Sequence, residues 1–425
     1  MSTFTADTYQ NEYLPVGGTE VNAVVTVTAS GAAMAASPAD AAEIVIVDVS
    51  GSMVAPRAKL RAAKEATAVA IDCIRDGVMF GVIAGSMTAT PVYPQSGTLV
   101  PASASTREEA KQAVARLKAT GGTAISTWLA LANRLFSTCP DAICHAILLT
   151  DGQDEHETPE DLARVLADCE GSFQCDCRGV GTDWAVSELR TIASSLLGTV
   201  DIIAEPSDMA ADFQSMIEQA MGKATNNVSL RLWTPQGASV AYVKQVSPTI
   251  EDLTTRATPV DALSADYPTG AWGEESRDYH LCIRVQPRDL GEEMLAGRFS
   301  LLVGEELASQ ALIRAIWTGD EQLSTRINRE VAHYTGQAEL AEAIQDGLQA
   351  RKSGDEETAT FKLGRAVQLA TASGNDATIK LLSSVVDVED PATGTVRLKR
   401  RVDDAGEMAL DTRSTKTVRV QKHEP

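Results

Sequence analysis

Apolar positions along this chain change their period several times, and each change marks a predicted boundary. Residues 16–30 (VGGTEVNAVVTVTAS) alternate Val with Thr or Asn, the period-two signature of a strand. A loose run of small residues follows, Gly31 to Ala42. From Glu43 to about Gly222, short apolar runs (EIVIVDV, VMFGVIAG, HAILLTDG, FQCDCRGVG, TVDIIAE) alternate with helical stretches such as APRAKLRAAKEATAVAIDCIRDG and ISTWLALANRLFSTC. Strands separated by helices of this length need crossover connections. They predict an α/β fold with a largely parallel sheet and helices on both faces.

The second half reads differently. NNVSLRLWTP, ASVAYVKQV, DYHLCIRVQP and GRFSLLVGE are short alternating segments split by Gly, Pro and Asp, which predicts a small antiparallel β-sandwich. The strand at 16–30 has no evident local partner, so it is expected to complete that sandwich, with the α/β domain inserted into it. ELASQALIRAIWTGDEQL and the segments after it, to SSVVD, carry apolar residues at helical spacing and predict a small helical bundle. The expected domains are 1–42 (a strand joining the sandwich), 43–222 (α/β), 223–305 (sandwich), 306–387 (helical bundle) and 388–425 (a flexible polar tail).

Composition narrows the function. The chain has 425 residues, enough for two to four domains, and its 44% hydrophobic and 22% charged content is that of a globular protein. Aromatics at 4% argue against a stacking surface for single-stranded nucleic acid. A net charge of −21 repels phosphate backbones and anionic lipids, so neither nucleic acid nor a membrane is an expected partner. Cations and basic protein faces are better matched. From Val388 onward the net charge is +1, which leaves −22 on the rest. No stretch approaches the roughly 20 apolar residues of a membrane span. The start, MSTFTADTYQNEYLPVGGTE, lacks a basic end and an apolar core. Seven cysteines, an odd number, suit a reducing compartment, and the expected location is cytoplasmic.

Candidate chemistry sits at the carboxyl ends of predicted strands. EIVIVDVSGSM puts Asp48, Ser50 and Ser52 on the loop after one strand, ATGGTAIS puts Thr123 just before a helix, and HAILLTDGQ puts Asp151 at another strand end. In an open parallel sheet, ligands bind outside this edge, near the topological switch point. Two carboxylates and three hydroxyls, without imidazole or thiolate, suit a hard divalent cation: Mg²⁺, or Mn²⁺ or Ca²⁺. A site with so few protein oxygens leaves a coordination position for an outside oxygen.

DVSGS, the Thr of TGGT about 70 residues later, and a strand ending in TDG together resemble the von Willebrand factor A (vWA) domain. All five positions of its metal-ion-dependent adhesion site match: Asp48, Ser50, Ser52, Thr123 and Asp151. RGVGTDWAVSELRTIASSLLG is also similar to that family's penultimate strand and last helix. Over roughly 43–222 the resemblance implies a Rossmann-like fold and metal-dependent, non-catalytic binding of a partner protein through an Asp or Glu. It also implies a soluble bacterial-type scaffold or adaptor, placed beside an AAA-type ATPase in some relatives.

Other readings compete. A metal-dependent hydrolase or phosphotransferase could use the same oxygens, but TGGT lacks the Lys of a phosphate-binding loop and no G-x-S-x-G surrounds Ser50 or Ser52. Cys169, Cys175 and Cys177 lack the spacing of a zinc site and read as core. Trp233, Trp272 and Trp317 also read as core or interface. Asp154, Glu155 and Glu157 read as a solvated acidic rim. In the tail, Thr412, Thr415 and Thr417 lie among basic residues. Phosphorylation there would create a site for a forkhead-associated-type module and make the chain a scaffold in a Ser/Thr phosphorylation circuit.

Overall fold

The structure, a computed structural model, describes residues 3–31, 41–55, 58–153 and 156–420. The chain forms two compact units, one of Ala33–Asn226 with Gly270–Gly273, the other of Met1–Ala32, Asn227–Thr269 and Glu274–Pro425. In chain order the first is an insertion into the second.

The inserted unit is built on strands β1 (Ala41–Asp48), β2 (Met79–Gly85), β3 (Thr90–Tyr93), β4 (Ile143–Thr150), β5 (Gln174–Val180) and β6 (Val200–Ile203). They lie in the order β6-β5-β4-β1-β2-β3. All neighbouring pairs among these six are parallel except β2 and β3, and a short seventh strand, Val100–Pro101, also pairs antiparallel with β2. All eight residues of β1 are buried, as its unbroken apolar run requires of a central strand covered on both faces. Its one internal charge, Glu43, meets His145 Nδ1 at 2.9 Å, and His145 Nε2 meets Asp176 at 3.1 Å, so the polar starts of three adjacent strands satisfy each other.

Helices α1 (Ala58–Cys73), α2 (Ala104–Ala115), α3 (Ile125–Phe136), α4 (Pro159–Cys169), α5 (Val186–Ser195) and α6 (Met209–Met221) flank this sheet. Helix α1 turns Ala63, Ala66, Ala70 and Ile71 inward at helical spacing, into one core with Val45 and Val47 of β1 and Met209, Phe213 and Ile217 of α6. Each large side chain buried there contributes about 1.5–3 kcal/mol. Strand β1 is followed in the chain by β2 on one side and pairs with β4 on the other, so the strand order reverses between β1 and β4. The loops leaving those two strands border the resulting crevice.

The second unit has two large antiparallel sheets besides a hairpin near its end. One runs Thr3–Gln10, Glu20–Ser30, Glu275–Arg284, Ser239–Ser247, Glu251–Asp252. The other runs Thr258–Pro259, Ser264–Pro268, Val228–Trp233, Glu293–Val303, Glu306–Trp317, with Tyr13–Leu14 added in parallel. Tyr279 of the first packs its ring 5.9 Å from Phe299 of the second. The strand read at 16–30 pairs with Glu275–Arg284, but it also has a local partner, Thr3–Gln10, which the sequence reading lacked.

Residues 306–317 form a strand, not the expected helix, with Ala311, Ile313, Ala315 and Trp317 buried in alternation. Exposed Leu312 and half-buried Ile316 filled the intervening positions with apolar residues and masked the period of two. Helices follow at Arg329–Lys352, Glu356–Ser373 and Asp376–Val385. Among the described residues, no helix is long and apolar enough to cross a membrane.

The expected flexible tail is structured through residue 420. A hairpin, Val386–Asp390 with Thr395–Leu398, leads to a helix, Asp404–Arg413, capped by the Asp403 side chain. Val396 and Leu410 join the core of the preceding helices. A Cβ on Gly364 would collide with the Gly394 carbonyl, so only glycine lets the hairpin turn lie on the Glu356–Ser373 helix. Beyond that helix, Ile250 N–H donates to the Thr415 carbonyl at 2.8 Å and the Thr417 hydroxyl to the Val246 carbonyl at 2.7 Å. Thr412 is buried, and its hydroxyl donates to the Met408 carbonyl at 2.6 Å.

Candidate functional site

Strands β1 and β4 deliver the two carboxylates, because each apolar run stops where the chain leaves the sheet. Asp48 is fully buried. Its Oδ1 accepts the Ser50 N–H at 2.7 Å and its Oδ2 accepts the Thr150 hydroxyl at 2.6 Å. Ser52 Oγ donates to Asp151 Oδ1 at 2.6 Å and lies 2.8 Å from Ser50 Oγ. Asp48, Ser50 and Asp151 are buried and Ser52 is exposed, so this cluster opens to solvent on the Ser52 side.

Thr123 arrives from about 70 residues away through backbone ties. Gly51 N–H donates to the Gly121 carbonyl at 2.8 Å, and Thr120 N–H donates to the Val49 carbonyl at 2.7 Å. Gly121, at φ +84°, makes the turn that permits both. A Cβ placed on Gly152 would sit 3.3 Å from Ser52 Oγ and 3.7 Å from Thr123 Oγ1, so the two hydroxyls face one point. The structure therefore brings all five sequence-designated side chains to one edge.

Burial pushes the Asp48 carboxyl above its ordinary range, against the hydrogen bonds from Ser50 and Thr150, and nearby Asp151 pushes it further. The chemistry of this set, two carboxylates and three hydroxyls, fits a hard divalent cation such as Mg²⁺, Mn²⁺ or Ca²⁺.

The structure adds residues that sequence reasoning passed over. Lys59, on the first turn of α1, is buried and places Nζ 2.9 Å from Asp151 Oδ2 and 3.3 Å from Asp183 Oδ2. Burial draws its ammonium down, but Asp151 and Asp183 outweigh that and hold it above the ordinary value. A lysine in a helix's first turn opposes the helix dipole. That anomaly, visible in APRAKLRAA, was the available signal.

Two tryptophans brace the neighbouring strand ends. The Trp128 ring lies on Gly85 and donates to the Ser86 carbonyl at 2.7 Å, and Trp184 lies on Gly179 and donates to the Gly181 carbonyl at 2.9 Å.

The other candidates fall elsewhere. Glu157 is no solvated rim: it accepts the Ser126 N–H at 2.8 Å at the start of α3. Asp154 and Glu155 lie outside the described residues. Cys175 and Cys177 are fully buried on one face of β5, and all seven cysteines are free thiols. Trp272 and Trp317 are core residues, while half-buried Trp233 lies under the Arg298 guanidinium.

A mainly parallel sheet in this order, flanked by helices and with its chemistry at the β1 and β4 exits, defines a vWA-type α/β domain. The profile of the von Willebrand factor type A domain matches residues 42–202, and that of the von Willebrand factor type A C-terminal domain matches 368–414. A structure described as von Willebrand factor type A from Catenulispora acidiphila is 52% identical, with a TM-score of 0.94, over 98% of this chain and 97% of that one. The chain belongs to the von Willebrand factor type A family.

The ArnB paralog VWA2 from Sulfolobus acidocaldarius shares the fold at 13% identity and a TM-score of 0.54, over 97% of this chain and 98% of that one. An uncharacterized protein of Synechocystis is 33% identical over 152 residues, 34% of this chain and 36% of its own length. The match thus spans about a third of that curated relative.

Proposed function

We propose that this protein is a non-catalytic, divalent-cation-dependent binding module. Asp48, Ser50, Ser52, Thr123 and Asp151 hold Mg²⁺, or Mn²⁺ or Ca²⁺, and the ion accepts an Asp or Glu from a partner protein. The observation that carries this reading is the hydrogen-bonded run Ser50–Ser52–Asp151, with Thr123 Oγ1 facing the same point and the opening on the exposed Ser52 side. When bound, the ion supplies Lewis acidity toward an outside carboxylate. The chain's own residues set its position: Thr150 and the Ser50 N–H fix the Asp48 carboxylate, and the loop ties through Gly51 and Thr120 hold Thr123 in place.

Membership in the vWA family supports a binding role over a catalytic one, and the role we assign is that of a cytoplasmic scaffold or adaptor. The phosphorylation reading is less favoured at Thr412, while Thr415 and Thr417 are half-buried. The Thr412 hydroxyl is buried and bonded, so a kinase could reach it only by unwinding the last helix.

Isothermal titration of Mn²⁺ into the full chain tests the proposal. One ion should bind per chain, and Asp48→Ala should abolish it. A wild-type protein that takes up no divalent ion overturns the reading.

A further inference from the structure

Asp151 is shared between two kinds of partner. Its Oδ1 faces the hydroxyl cluster through Ser52, while its Oδ2 is held by the Lys59 ammonium, whose side chain is only 8% exposed. Gly181, at φ +70°, lies over the lysine: a Cβ there would come 3.6 Å from Lys59 Cε. The site is therefore built with an internal cation against one of its two carboxylates. Its position on the first turn of α1, against the helix dipole, is stabilised by that carboxylate.

We infer that Lys59 is the residue that sets the net charge of the site, trading cation affinity for affinity toward an outside carboxylate. This rests on the reading of the five oxygen donors as a cation site. As cation ligands, with both carboxylates ionised, Asp48 and Asp151 carry −2, and Lys59 reduces this to −1. A divalent ion then leaves the loaded site at +1, attractive to an incoming Asp or Glu. Without Lys59 the loaded site would be neutral, with a tighter hold on the metal and a weaker one on the ligand. Asp183 also contacts Lys59, but its side chain is 72% exposed, so water weakens its pull, and it is present in every variant compared.

The test compares wild type, Lys59→Gln and Lys59→Arg as full-length proteins. Mn²⁺ affinity is read by calorimetry, and acetate binding to the Mn²⁺-loaded protein by water-proton relaxation. A unit charge separated from a divalent ion by one carboxylate, even in a water-like dielectric, gives Lys59→Gln roughly ten-fold or more tighter Mn²⁺ binding. Its acetate affinity should fall several-fold, and Lys59→Arg should match wild type in both.

Should Lys59→Gln be unfolded in chelator and refolded by Mn²⁺, the inference also stands, because the metal then replaces the lysine. A Lys59→Gln protein unfolded in both conditions makes Lys59 a structural strap and overturns the inference. Equal or weaker Mn²⁺ binding by Lys59→Gln, beside a wild type that binds, overturns the role of Lys59 alone. No Mn²⁺ binding by either protein removes the cation site itself.

Discussion

Replacing Asp48 by Asn separates the electrostatic role of this carboxylate from its role in packing. Asn keeps the shape and can still accept the Ser50 N–H, now 2.7 Å from Asp48 Oδ1. The Thr150 hydroxyl, 2.6 Å from Oδ2, can turn to accept from the new amide. What disappears is the charge. The Asp48 pKa is raised in the folded state by burial, so its ionisation costs stability as pH rises above the unfolded value near 4. In chelator at pH 7, Asp48→Asn should therefore melt no lower than wild type.

Saturating Mg²⁺ reverses the order. A ligand at about 100 times its Kd stabilises the folded state by about 2.7 kcal/mol. For a unit of roughly 200 residues this raises Tm by roughly 5–10 °C. Wild type should show that rise in differential scanning calorimetry, in the transition of the inserted unit, and Asp48→Asn should not. Equal Mg²⁺-induced shifts in both proteins would refute the assignment of Asp48 to the ion. A variant much less stable than wild type in chelator would refute the claim that this carboxylate is electrostatically costly there.

Three further outcomes are expected. Gly85→Ala would drive a methyl group into the Trp128 ring, and should cost about 1–3 kcal/mol in urea unfolding and weaken Mn²⁺ binding, since the Gly85 carbonyl also anchors the Val49 N–H at 2.8 Å. Thr412→Val should cost about 1 kcal/mol or less, whereas Thr412→Glu, which buries a carboxylate, should destabilise the second unit by several kcal/mol; equal melting of the two variants would contradict the burial of this position. Burial, with Lys244 adding to it, lowers the His280 pKa to about 4, so the folded state keeps this ring neutral while the unfolded chain protonates it near 6.5. Stability should fall as pH drops from about 6.5 to about 4, by about 3 kcal/mol at most, and His280→Gln should flatten that slope in urea titrations across this range.

Some of the molecule follows from local pattern. Unbroken β-branched runs such as EIVIVDV can be satisfied only as buried strands, and alternation with helices forces parallel crossovers. The ends of those runs therefore locate Asp48 and Asp151 without coordinates, and the third motif, TGGT, adds Thr123. Tertiary structure decided the rest. Residues 306–317 became a strand because Glu293–Val303 offered a hydrogen-bonding partner, a long-range pairing that overrode an ambiguous local pattern. The tail folded because its scattered apolar residues, Val396 and Leu410, found a core supplied by the three helices that precede it.

Lys59 shows the same division at the site itself. Its charge is written in the sequence, but its partner Asp151 lies 92 positions away, just past the end of a strand that comes alongside β1 only when the sheet assembles. A periodic pattern reports what a residue must hide. Which group it meets depends on long-range packing, where distant segments converge and burial makes an unpaired charge too costly to leave alone.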